Sequence, residues 1–113
     1  SAACIAAQGL IRIGNWLKDA DPERAKTYQQ AGIQLASVLF SEPYLSTQAS
    51  HQGLILHSIY HQPNGWDYVP EKGKVAHGES SMWGDYHARE LALLIQRIAN
   101  KEPYYTYLNC VPA

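Results

Sequence analysis

Apolar residues recur at helical spacing over 2–17, 22–40 and 80–99, and this pattern predicts three helices. In the first, Ala3, Ala6, Leu10, Ile13 and Leu17 form a stripe. Ala2, Ile5, Ala7 and Ile11 extend the apolar character around the cylinder, as expected of a helix buried on more than one side. Its alanines and Gly9 would allow neighbours to approach closely. Lys18, Asp19 and Ala20 close it. Asp21, Pro22 and Glu23 are an N-cap, a first-position proline and a first-turn carboxylate, so they open a second helix. Its stripe is Ala25, Tyr28, Gly32, Leu35 and Leu39, and it ends before Pro43. The short connection makes the pair an antiparallel hairpin.

After this hairpin the pattern changes. Residues 41–53 read as a polar loop. Leu54 to Tyr60 is too short for a helix and reads as an extended segment or strand. Gln62-Pro63-Asn64-Gly65 is a turn signal, and Trp66 to Val69 would return as the partner strand of a hairpin spanning 54–69. A loop over 70–79 leads to the third helix, where Gly84, Ala88, Leu91, Ile95 and Ile98 share a face. The tail over 100–113 carries Pro103, Tyr104, Tyr105 and Tyr107 and is expected to lie over the helices. The fold class is all-α, in one domain.

The 113 residues include 17% charged side chains, below the usual quarter, so some surface is expected to meet a protein partner. The net charge of −1 and the lack of a basic cluster beyond Lys72 and Lys74 argue against nucleic acid as a partner. No stretch reaches the length of a membrane span, so no membrane partner is expected. Nor does a charged region precede an apolar run at the N-terminus. The reading is cytoplasmic, with Cys4 and Cys110 as free thiols rather than a bridge. The chain starts abruptly, on what reads as the inside of a helix.

The densest stretch is Gly78 to Leu94. Trp83, Gly84, Asp85 and Tyr86 share one turn and are poor helix formers. Two readings stand side by side. Trp83 and Tyr86 are core with Asp85 facing the helix dipole, or the turn forms the rim of a sugar pocket, where aromatic faces stack on rings and short polar groups at a helix start meet anions.

The run Ser-Met-Trp-Gly-Asp-Tyr, followed by a Glu-Leu-Ala helix, resembles the last helix of the unsaturated glucuronyl hydrolases, glycoside hydrolase family 88. Ser1 to Leu10 is similar to that family's small-residue helix, and Gly53-Leu54-Ile55-Leu56-His57 to the segment leading into its terminal loop. The resemblance implies the C-terminal part of an (α/α)6 toroid. It also implies an enzyme that hydrates the C4=C5 double bond of a terminal unsaturated uronic acid, so that the hemiketal collapses and releases the sugar. The family's two aspartates belong to the earlier part of the toroid, so no catalytic residue is assigned here. The implied partners are an unsaturated oligosaccharide and either the rest of the toroid or another copy of the chain. The implied substrate-binding residues are Lys72, Lys74, His77, Ser80 and Ser81, joined by Trp83, Asp85 and Tyr86 of the helix start.

Other chemistry is thinner. His57 and His61 have metal-ligand spacing for a helix, yet they fall on an extended segment with no third ligand, so neither metal nor cofactor is expected. Strand alternation would send Asp67 away from Trp66 and Tyr68. Gly78-Glu79-Ser80-Ser81 lacks the spacing of a nucleophile elbow. Two readings result: a fragment of a glycoside hydrolase, or a non-catalytic helical module that binds a protein or a glycan. Three helices do not close a ring of twelve, so the toroid reading predicts an exposed apolar face on this chain.

Overall fold

The structure is a computed structural model that describes residues 1–104. Its helices are α1 (Ala2–Leu17), α2 (Pro22–Leu39) and α3 (Met82–Ala99), with one short 3₁₀ turn at Gln62–Asn64. The chain is mostly helical, as an all-α class requires. Tyr105, Tyr107 and Cys110 lie outside the described residues.

The caps work as their residue types dictate. The Asp21 carboxylate accepts the Arg24 N–H at 3.1 Å. Ser81 does the same for Gly84 at 3.1 Å, so α3 begins at Met82 and leaves Ser80 in the loop.

Helix α1 packs against both α2 and α3. The face it buries is Cys4, Ala7, Ile11 and Gly14, one position away from the predicted stripe. Small residues decide this rotation. A Cβ on Gly32 would sit 2.9 Å from the Ala7 carbonyl, and one on Gly14 would sit 2.8 Å from the Ala25 carbonyl. The two backbones touch where side chains are absent, Ile11 stays inside, and Ile5, Ile13 and Trp16 turn outward. Gly9, expected at a close approach, meets nothing within 4 Å. The expected burial of α1 on several sides is not found among the described residues, since Ile5, Ile13 and Trp16 are exposed. Helix α2 buries Ala25, Gly32, Ala36 and Leu39. Helix α3 buries Gly84, Ala88, Leu91 and Leu94, while Ile98 stays exposed. One core joins Cys4, Ala7 and Ile11 to Ala36, Leu39, Ile55, Ala88, Leu91 and Leu94.

Of the extended segment or hairpin expected over 54–69, an extended segment around Ile55 is found and the hairpin is not. Ile55 pairs instead with Leu45 in a single antiparallel bridge, so the polar loop supplies the partner. The reason lies in Asp67. Its carboxylate accepts the backbone N–H groups of Tyr60 and of His61, the latter at 2.8 Å. Those donors are the ones a returning strand would need. A side-chain acceptor thus replaces the ladder, and the chain folds into a closed loop around the 3₁₀ turn.

Candidate functional site at the start of helix α3

Asp85 lies in the first turn of α3. Its Oδ2 accepts the Leu54 N–H and its Oδ1 the Ile55 N–H, each at 2.9 Å. This two-pronged, charge-assisted arrangement holds the extended segment across the helix start. A carboxylate at that position also faces the positive end of the helix. Both oxygens are therefore engaged in structure. Gly84 makes the crossing possible, because a Cβ there would lie 2.6 Å from the Ser58 Oγ. Ser58 in turn donates its N–H to the Glu79 carbonyl at 3.0 Å.

The loop ahead of the helix is stitched by histidines. His51 Nδ1 lies 3.1 Å from the Gly53 carbonyl, which can only accept, so in the neutral ring Nδ1 carries the hydrogen. Nε2 is then the acceptor for Ser80 Oγ, 3.4 Å away. Gly53 is required here, since a Cβ would collide with the Ser80 side chain. His77 is exposed and makes a bond of 2.9 Å to the Val75 carbonyl. Lys72 and Lys74 are exposed and form no ion pair with a described residue.

Trp83 is half-buried and stacks on Tyr60, with ring centres 4.8 Å apart and planes inclined by 20°. Tyr60 stacks in turn on Trp66 at 5.6 Å and 27°. His61 lies 5.0 Å from Trp66. Four rings thus form a shelf beside the helix start, and Trp66 is 61% exposed. Tyr86 is on another side of the helix. It is 58% exposed and so not core, and its hydroxyl donates to Glu90 at 3.1 Å. Glu90 also receives His87 Nδ1 at 2.9 Å and the Gln8 amide at 3.5 Å. Partial burial pushes the Glu90 carboxyl up, but the bonds from His87, Tyr86 and Gln8 outweigh it and leave it below the ordinary carboxylate value. The hydrogen bond to Glu90, and then its charge, push the Tyr86 phenol up.

The predicted site residues therefore divide. Ser80, Ser81, Trp83 and Asp85 gather at the helix start, with Ser81 and Asp85 committed to backbone N–H groups. Lys72, Lys74 and His77 stand on the exposed loop before it. Tyr86 belongs to the Glu90 cluster. Sequence reasoning missed Tyr60 and Trp66 as partners of Trp83. The signal available was aromatic residues on both sides of a Pro-Asn-Gly turn, which brings them to one place.

His57 and His61 do not form a metal pair. His57 Nδ1 accepts the Gly78 N–H at 3.0 Å, and His61 Nδ1 accepts the Asn64 N–H at 3.2 Å. Among the described residues no group of three or more His, Cys, Asp or Glu side chains is arranged to hold a metal ion. No described helix is long and apolar enough to cross a membrane. Burial pushes the Cys4 thiol up from its ordinary value.

Comparisons with protein-family models, with curated proteins and with solved structures found no match.

Proposed function

We propose that this chain is the closing part of an (α/α)6 toroid, in a glycoside hydrolase resembling the unsaturated glucuronyl hydrolases. The whole enzyme would hydrate the C4=C5 bond of a terminal unsaturated uronic acid on a lyase-generated oligosaccharide. The observation that carries the reading is the uncovered apolar surface of the hairpin. Ile5, Ile13 and Trp16 on α1 and Ile33 and Val38 on α2 all point outward, and Trp16 is 77% exposed. A hairpin that expects neighbours leaves such side chains open, and large apolar side chains exposed on both of its helices fit a surface that meets a partner. Either the remaining hairpins or another copy of the chain would cover them. The loop ahead of α3, with Lys72, Lys74 and His77, would face the uronic acid carboxylate. Trp83 and its ring stack would meet sugar faces. The proton-transferring aspartates would lie in the preceding hairpins.

A second reading, a non-catalytic module that binds a protein or a glycan, draws support from a different observation. The stacked rings of Tyr60, Trp66 and Trp83 offer an aromatic face to a glycan or a protein without needing any proton-transferring group.

One assay separates the two. The polypeptide encoded by the complete reading frame is mixed with an unsaturated disaccharide, and the ultraviolet absorbance of the C4=C5 bond is followed. Decay with the complete polypeptide, and none with residues 1–113 alone, is the expected result. Persistent absorbance with the complete polypeptide overturns the hydrolase reading.

A further inference from the structure

A cleft of about 390 Å³ opens in the loop between α2 and α3, away from the ring stack. Pro43, Leu45 and Leu56 supply its apolar lining, and its polar groups include Glu42, Gln48, His51 and His57. The volume is at the lower end of the small-ligand range. We propose that this cleft binds a short, neutral, hydroxyl-rich ligand, a neutral disaccharide being the simplest case. The proposal does not rest on the hydrolase reading.

Two backbone pairs beside the cleft are already used within the loop. Ser46 N–H donates to the Leu54 carbonyl at 2.8 Å, and Leu56 N–H to the Tyr44 carbonyl at 2.7 Å. No strand edge is left at those positions for an incoming chain to extend. At these positions recognition falls to the side chains. Glu42 Oε1 accepts the Thr47 hydroxyl at 2.7 Å, which leaves Oε2 as an acceptor. His57 supplies the complement. Its Nδ1 accepts the Gly78 N–H, so the neutral ring carries its hydrogen on Nε2 as a donor. The ring is braced edge-on by Tyr44 at 5.9 Å. The backbone of His57 is left-handed, with φ at 60°, a conformation that side chains other than glycine seldom adopt and that clusters at binding sites. The Gln48 amide both donates and accepts.

Paired donors and acceptors over an apolar lining suit sugar hydroxyls, each of which can do both. The charge decides between sugars. Glu42 is acidic and no Lys or Arg lines the cleft, so an anionic uronate is disfavoured where a neutral ring is not.

The test is an amide NMR titration of the chain with cellobiose, lactose, maltose and glucuronate, each added separately. At least one neutral disaccharide should shift the amides of Gln48, His57 and Gly78 with a Kd of about 1 mM. Glucuronate should bind about tenfold more weakly, as expected for one unfavourable charge. His57→Asn accepts the left-handed backbone but loses the Nε2 donor, and should weaken the disaccharide about tenfold. Glu42→Gln keeps an acceptor and removes the charge, and should bring glucuronate to within about threefold of the disaccharide. An unchanged spectrum outside the loop verifies that each variant folds. The proposal is overturned if no neutral disaccharide shifts these amides, if glucuronate binds the unmodified chain equally well, or if the shifts centre on Trp83 and Tyr60.

Discussion

Asp85 and Asp67 make the same bond in two different places. Each carboxylate accepts two consecutive backbone N–H groups of a segment distant in sequence or across a turn. The surroundings differ. Asp85 stands on a helix and grips Leu54 and Ile55, and Ile55 is 3% exposed within the shared core. Asp67 stands in a loop and grips Tyr60 and His61, where Tyr60 is 50% exposed. One clamp fastens the loop region to the helices. The other only closes the loop on itself. Identical hydrogen-bond chemistry thus has a global consequence in one case and a local one in the other, because burial decides what happens to the donors when the acceptor leaves.

The largest test of that contrast is Asp85→Ala. It strands two N–H groups beside the core, and urea denaturation should record a loss of about 3 kcal/mol. Hydrogen exchange should quicken over 54–58. A loss below about 1 kcal/mol would mean that water reaches those donors and that the two clamps are alike. Asp67→Ala comes next. Its donors can turn to water, so about 1 kcal/mol is expected, with faster exchange at Tyr60 and His61 and unchanged protection at Leu91.

The smallest effect belongs to a third carboxylate, Glu90, which contacts three side chains rather than backbone. Its carboxyl is held below the ordinary value, so its contribution to stability is present above the unfolded-state value. That contribution is lost as the pH falls through the lower folded-state value. Glu90 is partly exposed, so solvent screening keeps the contribution small. Denaturation midpoints measured from about pH 6 down to about pH 3 should fall less steeply in Glu90→Gln than in the parent chain. Equal slopes would show that the bonds from His87, Tyr86 and Gln8 do not hold the charge.

The helices were legible because their signals are local. Asp21 and Pro22 mark a start, and Pro43 forbids continuation. The face that each helix buries was harder to read. Periodicity weights large apolar residues, whereas Gly14 and Gly32 fix the α1–α2 contact by having no side chain at all. That 54–69 takes its extended rather than its hairpin form was hidden for a related reason. Alternation along Trp66-Asp67-Tyr68 assumes that backbone donors find backbone acceptors, and here Asp67 takes them. The helix start was legible as a place of unusual composition. That Asp85 clamps the extended segment was not, because its partners lie some thirty positions earlier. The ring stack and the cleft beside Glu42 also depend on contacts between loops, which no single window of sequence contains.

The three tryptophans stand in unlike surroundings, and this makes the molecule its own optical probe. Trp83 and Trp66 share Tyr60 as a neighbour, so their excited states feel aromatic rings. Trp16 stands in water at the far end of α1. Anything that covers the hairpin would change the colour of Trp16 emission alone, while a ligand on the shelf would act on the other two.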